Sequence, residues 1–138
     1  SFNKPQEELS HIPLFVYGTL RPEGSLHYLL KPYILESIDD LYIKGELFSS
    51  TQGLWPVVVK SDNSRVIGTL YALKKDMTLI SNIFREEILY GYDLTWEDIY
   101  KRADGKLITK ALVCTSNSTQ FLDTFIPSGD WLHFLYSN

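Results

Sequence analysis

Glu87 is the side chain in this sequence best placed for acid–base chemistry. A helix is predicted from Asp76, a candidate N-cap, to about Glu87. Apolar residues recur along it at spacings of three and four, so Glu87 shares a helix face with Ile80 and Ile83. A carboxylate on that face indicates either a salt bridge or solvent contact at the helix end, or a cavity in which burial suits a carboxyl group to general acid–base work.

The neighbouring Glu86 is the alternative carboxylate. It is rotated by about 100° around the helix from Glu87 and so lies off the apolar face. Because the apolar spacing continues to Glu87, we favour Glu87 over Glu86.

The second candidate for chemistry is a glycine-centred turn after an apolar run. Residues 14–17 are apolar and aromatic, which is typical of a strand buried on both faces. Gly18 ends this run, and Pro22 and Gly24 constrain the backbone that follows. Such a turn can present several backbone N–H groups to an anion, although ordinary turn chemistry explains the same pattern. We call it the 17–20 turn, and its residues are Tyr17, Gly18, Thr19 and Leu20.

Strands and short helices must position these two candidates. Gly68, inside a predicted strand, indicates a bulge, a bend or a close backbone approach. Strands with internal glycines tend to curl, which favours a small barrel over a flat sheet. The apolar tail Trp131–Tyr136 is expected to pack on this barrel. The remaining predicted elements are strands at 33–38, 41–48, 56–59, 66–73, 91–100 and 107–116, turns at 61–64 and 103–106, and a helix at 25–30 that Pro32 ends.

Length and composition bound the remaining possibilities. The 138 residues fit one domain, and residues 1–12 are expected to be a flexible leader before a single domain at 13–138. The net charge of −4 without a basic cluster argues against nucleic acid and membrane partners and favours a small ligand. The single cysteine and the lack of a targeting or membrane segment favour the cytoplasm. The oligomeric state stays open.

Common catalytic and metal-binding motifs do not occur in the sequence. His11, His27 and His133 are far apart, and we interpret them as surface or packing residues. Cys114 lies in an apolar strand, which is more typical of a small core residue than of a nucleophile. No metal ion and no cofactor is therefore predicted.

Several stretches occur together in this sequence. They are Leu14-Phe15-Val16-Tyr17-Gly18-Thr19-Leu20-Arg21, Gly45-Glu46-Leu47-Phe48, Trp55-Pro56-Val57-Val58, the strand at 66–73, the helix ending at Glu87 with Gly91-Tyr92 after it, and Ser128-Gly129-Asp130-Trp131. This combination resembles the γ-glutamylcyclotransferase-like (AIG2-like) family. The resemblance runs from about residue 14 to residue 131 and implies an α+β fold, a small mixed-strand β-barrel flanked by short helices.

The resemblance implies a reaction in which the α-amine of a γ-glutamyl group attacks its own γ-carbonyl. The products are 5-oxoproline and an amine or amino acid, and no cofactor is required. By position, the resemblance makes Glu87 the acid/base residue and the 17–20 turn the binding site of the substrate α-carboxylate. Tyr71 and Tyr92 are further candidates for shaping the pocket, because a phenol can orient an amine or a carbonyl.

Two positions depart from the family's pattern. Ile88 stands where members commonly have glycine, and Phe84 stands where they commonly have an acid. Two other functions therefore remain open beside the enzyme. The chain could be a non-catalytic module of the same fold that binds a carboxylate metabolite, or an interaction domain that exposes Trp131–Tyr136 as a patch. The leaving group of the reaction is not encoded in any motif.

Overall fold

The computed structural model describes residues 11–50, 55–76, 78, 81–82, 85, 92–116 and 122–137. Two 3₁₀ helices, His27–Leu29 and Lys31–Tyr33, connect the first two strands, and the α-helix Trp131–Tyr136 follows the last strand. The strands are β1 (His11–Val16), β2 (Ile34–Ser50), β3 (Pro56–Lys74), β4 (Tyr92–Lys101), β5 (Leu107–Ser116) and β6 (Leu122–Phe125).

The first five strands close into a barrel. They are hydrogen-bonded in the order β3, β1, β5, β4, β2, and β2 also pairs with β3, which completes the ring. β1 and β5 are parallel, while the other pairs among the described strands are antiparallel. β6 extends β2 outside the ring. The predicted α+β fold with a small mixed-strand barrel is confirmed.

The barrel interior is filled by one large apolar cluster to which the last helix also contributes. Alternate residues of β2 point inward, as the sequence period predicts. Trp131 and Leu132 are buried in the same cluster, so the 131–136 segment packs on the barrel as expected. The buried members are Phe15, Tyr17, Leu41, Ile43, Leu47, Val58, Val66, Leu70, Ile99, Ala111, Val113, Ile126, Trp131 and Leu132.

Gly68 marks the close contact between β3 and β1. A Cβ at this position would lie 2.3 Å from the carbonyl oxygen of Val16 and 2.5 Å from the ring of Phe15. A methyl group cannot occupy that space, so only glycine lets the two backbones approach this closely. The predicted close approach at Gly68 is confirmed.

Two pairs of predicted strands are each one continuous strand, which corrects the sequence interpretation. β2 runs through residues 39–40, where the register shifts and Asp40 has a φ of 58°. β3 runs through the predicted 61–64 turn: Lys44 pairs with Arg65 while Gly45 pairs with Lys60, so residues 61–64 bulge out between them. Polar residues suggested a turn there, but pairing with β2 resumes on both sides and keeps the strand continuous.

The segment from β1 to β2 also differs in detail from the prediction. β1 begins at His11, so residues 11–12 of the predicted leader belong to the barrel, and residues 1–10 lie outside the described residues. The helix predicted at 25–30 is the shorter His27–Leu29, and Pro32 does not end it but lies within Lys31–Tyr33. Proline is tolerated there because the first N–H groups of a helix have no intrahelical partner.

The helix predicted from Asp76 is described at four positions, residues 78, 81, 82 and 85, which are helical and exposed. The Asp76 carboxylate accepts a hydrogen bond from the Thr78 amide at 3.1 Å, as an N-cap does. Glu86 and Glu87 lie outside the described residues. No helix in the described ranges is long and apolar enough to cross a membrane.

Candidate functional site

The 17–20 turn directly follows β1 at one end of the barrel. Two hydrogen bonds close it: the Arg21 amide donates to the Gly18 carbonyl at 3.2 Å, and the Leu26 amide donates to the Thr19 carbonyl at 3.0 Å. Within the part of the chain that the structure describes, the N–H groups of Gly18, Thr19 and Leu20 donate to no acceptor. All three residues are half-buried, so the turn offers three consecutive backbone donors to a ligand.

Close contacts fix the path of this turn. A Cβ on Gly18 would lie 3.0 Å from Cγ of Pro56 and 4.0 Å from Cδ1 of Trp131. A Cβ on Gly24 would lie only 2.1 Å from the Thr19 carbonyl oxygen. The turn is therefore folded back tightly on itself, and a side chain at position 24 would displace Thr19.

Tyr71 supports the turn from inside the protein. Its side chain is fully buried, and its hydroxyl donates to the Leu20 carbonyl at 2.8 Å. The hydroxyl also lies 3.1 Å from Nδ1 of His27, which is 3.3 Å from the same carbonyl. Burial, followed by the charge of Asp39, raises the pKa of Tyr71. Tyr71 therefore stays protonated and remains a hydrogen-bond donor to the turn.

Tyr17 anchors the start of the turn in the same way. Its side chain is buried, and its hydroxyl donates to the backbone carbonyl of Cys114 on β5. Two of the three predicted tyrosines, Tyr17 and Tyr71, thus hold the turn through their hydroxyl groups, one at each end.

An ion pair holds the far end of the turn. Arg21 Nη1 lies 2.8 Å from Asp130 Oδ1, and the two side chains are 13% and 21% exposed. Asp130 also caps the Trp131–Tyr136 helix, because its carboxylate accepts from the His133 amide at 3.2 Å. Burial alone would raise the pKa of Asp130, but the hydrogen bonds from His133 and Arg21 outweigh it and lower the pKa.

A cleft of about 340 Å³ opens beside this ion pair. Its walls combine polar and apolar surface, and its charged groups are the carboxylates of Glu23 and Asp130 and the guanidinium of Arg21. Its other lining residues are Leu132, His133, Tyr136 and Ser137. No group of three or more His, Cys, Asp or Glu side chains in the described ranges is arranged to hold a metal ion.

The structure brings together five of the seven predicted site residues. Tyr17, Gly18, Thr19 and Leu20 form the turn, and Tyr71 contacts it. Tyr92 begins β4, opposite Ser116 on β5. Glu87, the predicted catalytic residue, and its alternative Glu86 lie outside the described residues, so their roles stay predictions.

Sequence reasoning missed three residues of this site. His27, interpreted as a surface or packing residue, contacts Tyr71 and Leu20 instead. Arg21 and Asp130 form the ion pair described above. The motif Ser128-Gly129-Asp130-Trp131 marks Asp130 in the sequence, but no sequence pattern indicates that Asp130 pairs with Arg21.

The chain matches one protein family over most of its length. The family described as gamma-glutamyl cyclotransferase, AIG2-like, matches residues 14–133. This range includes the barrel, the 17–20 turn and Asp130. No match was found among curated proteins.

Solved structures with the same fold come from distant organisms. YkqA from Bacillus subtilis is 30% identical with a TM-score of 0.66, over 92% of this chain and 42% of YkqA. This chain therefore spans less than half of YkqA. PH0828 from Pyrococcus horikoshii is 26% identical with a TM-score of 0.67, over 91% of this chain and 94% of that protein. An AIG2-like protein from Mus musculus shares the fold at 15% identity and a TM-score of 0.64, over 89% of this chain and 95% of that protein.

Proposed function

Because this chain belongs to the gamma-glutamyl cyclotransferase, AIG2-like family, we propose that it is a γ-glutamylcyclotransferase-type enzyme. The proposed reaction converts a γ-glutamyl compound into 5-oxoproline and releases an amine or an amino acid. The proposed partner is a small molecule with a γ-glutamyl group, and the leaving group stays open.

The observation that carries this proposal is that the N–H groups of Gly18, Thr19 and Leu20 have no acceptor among the residues that the structure describes. Backbone amides that converge in a turn favour an anion, and the α-carboxylate of a γ-glutamyl group is one. Because these residues are half-buried and no acceptor among the described residues takes their N–H groups, the N–H groups are available to a ligand. Binding the carboxylate there would fix one end of the substrate.

The chemical step needs one group that can move a proton. We assign this role to Glu87, which takes a proton from the α-ammonium group of the substrate. The free amine attacks the γ-carbonyl carbon and forms the ring nitrogen–carbon bond. The bond from that carbon to the leaving nitrogen then breaks as Glu87 returns the first proton to that nitrogen. Glu87 also carries the second proton of the ring nitrogen to the departing amine, which leaves as an ammonium ion. Atoms and charges balance without a co-reactant.

Most of the remaining rate enhancement would come from orientation. The nucleophile and the carbonyl belong to one molecule, and well-oriented intramolecular reactions gain about 7–11 kcal/mol. A carboxylate held by Gly18, Thr19 and Leu20 would bend the chain of the substrate toward the ring. Tyr71 supports this geometry by holding the Leu20 carbonyl, and Tyr92 is a further candidate for the pocket wall.

The test is an assay of 5-oxoproline with a panel of γ-glutamyl amino acids and γ-glutamyl amines. Glu87→Gln is expected to lower kcat by about 10²–10⁴-fold, the usual contribution of a general acid–base group. Glu86→Gln is the matched control, since it changes the neighbouring carboxylate, and it should retain activity. Loss of activity in Glu86→Gln, with activity retained in Glu87→Gln, would assign the acid/base role to Glu86. A wild-type protein that is stabilised by carboxylates but forms no 5-oxoproline would instead be a binding module.

A further inference from the structure

We propose that Asp130 is a positioning residue for carboxylate recognition, because its ion pair with Arg21 sets the geometry of the 17–20 turn. This inference rests on the proposed function. It assigns a role in the reaction to a residue about forty positions after Glu87 in the sequence, in a separate element of the fold.

Arg21 connects the ion pair to the 17–20 turn through its own backbone. It follows Leu20 directly, and its own N–H group closes the turn on the Gly18 carbonyl at 3.2 Å. Its side chain ends 2.8 Å from Asp130 and is only 13% exposed. Any movement of Arg21 therefore rotates the peptide groups of Gly18, Thr19 and Leu20, which are the proposed donors to the substrate.

Asp130 is itself fixed to the barrel. The Gly129 carbonyl accepts a hydrogen bond from the Ile67 amide of β3 at 2.7 Å. Gly129 has a φ of 66°, and a Cβ there would lie 1.9 Å from the Arg65 carbonyl oxygen, so the backbone cannot shift toward β3. On its other side Asp130 caps the Trp131–Tyr136 helix. The ion pair thus ties the turn to a rigid part of the fold.

The role is geometric and not a matter of net charge. Asp130 is the ion-pair partner that the described residues provide for Arg21, so the guanidinium charge is compensated. If Arg21 acted as a free cation toward the substrate carboxylate, removing Asp130 would strengthen substrate binding. If the pair positions the turn, removing either partner weakens recognition.

A double-mutant cycle with Asp130→Asn and Arg21→Gln distinguishes these roles. Asparagine can still cap the helix, so the fold is retained. Positioning predicts that kcat/KM falls by about tenfold in each single variant and little further in the double variant, because both remove the same contact. Changes of kcat/KM in opposite directions in the two single variants would overturn it, as would additive losses. Asp98→Asn is the matched control, since it breaks the exposed pair with Lys110 and should leave kcat/KM unchanged.

A second measurement does not depend on turnover. Hydrogen exchange at the Arg21 and Leu26 amides, which close the turn, should become at least about threefold faster in both single variants and stay unchanged in Asp98→Asn. Unchanged exchange in Asp130→Asn overturns the inference. A wild-type protein that forms no 5-oxoproline overturns the proposed function alone, and the exchange rates still decide whether Asp130 positions the turn.

Discussion

The 17–20 turn and the turn between β4 and β5 satisfy their backbone groups in different ways. In the β4–β5 turn most partners are neighbours: the Lys101 amide donates to the Lys106 carbonyl at 2.8 Å, the Gly105 amide donates to the Lys101 carbonyl, and the Asp104 carboxylate accepts from the Lys106 amide. One contact comes from β2, where the Asp40 carbonyl accepts from the Arg102 amide at 3.0 Å. The 17–20 turn keeps three N–H groups unpaired among the described residues and is held from outside.

The groups that hold the 17–20 turn come from distant parts of the chain. Tyr71 on β3 binds the Leu20 carbonyl, Tyr17 binds β5, and Asp130 binds Arg21. The 17–20 turn therefore depends on contacts from two other strands and the last helix, whereas the β4–β5 turn depends mainly on its own residues.

The largest difference between the two turns is expected when alanine replaces Gly24, which packs against the 17–20 turn, or Gly105, which lies in the β4–β5 turn. Gly24→Ala would place a methyl group 2.1 Å from the Thr19 carbonyl, so it must displace the turn, and kcat/KM for 5-oxoproline formation should fall by about 10–100-fold. A Cβ at Gly105 would make only an ordinary contact, 3.5 Å from the Tyr42 hydroxyl, but the φ there is 74°. Gly105→Ala should therefore lower the unfolding free energy by about 1–2 kcal/mol and leave kcat/KM unchanged. Equal activity in the two variants would contradict the comparison.

Removing one hydroxyl group near each turn gives a smaller contrast. Tyr71→Phe removes the hydroxyl that donates to the half-buried Leu20 carbonyl and should lower the unfolding free energy by about 0.5–1.5 kcal/mol in urea denaturation. Tyr42 lies beside Gly105, and no hydrogen bond of its hydroxyl is found within the described residues. Tyr42→Phe should therefore change stability by less than about 0.5 kcal/mol. If Tyr42→Phe lowered the unfolding free energy as much as Tyr71→Phe does, the hydrogen bond from Tyr71 to the Leu20 carbonyl would not account for the loss in Tyr71→Phe.

The smallest expected effect is a difference in pH dependence. Folding lowers the pKa of Asp130, so its contribution to stability is complete above its unfolded pKa of about 3.9 and is lost as the pH falls through the folded pKa. Asp130→Asn should flatten the acid side of a plot of unfolding free energy against pH. The exposed pair of Lys110 and Asp98, near the β4–β5 turn, affects the alkaline side of the plot instead, because the hydrogen bond to Asp98 raises the pKa of Lys110. An unchanged acid limb in Asp130→Asn would contradict the assignment.

The same contrast explains what the sequence could predict. β5 was predicted at its observed bounds, and the β4–β5 turn was predicted at residues 103–106, because alternation and turn residues are local signals. The donors of the 17–20 turn were predicted for the same reason. The 61–64 bulge was misread as a turn, since a local pattern cannot distinguish a connection from an insertion in a continuous strand.

The support of the turn could not be predicted, because it joins residues far apart in the chain. Arg21 and Asp130 are 109 positions apart, and His27 and Tyr71 are 44 positions apart. These contacts depend on how β1, β3 and the Trp131–Tyr136 helix meet, and that follows from barrel closure, which no single motif encodes. The family resemblance supplied the barrel but not these pairs.

The central claim is that the backbone N–H groups of Gly18, Thr19 and Leu20 bind the carboxylate of a γ-glutamyl group. It is tested most directly by titrating ¹⁵N-labelled protein with 5-oxoproline, the proposed product, which carries this carboxylate. The account predicts saturable shifts of the Gly18, Thr19 and Leu20 amide resonances, while those of Gly105 and Lys106 stay in place. Saturable binding that leaves the Gly18, Thr19 and Leu20 resonances unmoved, or no binding at all, would contradict it.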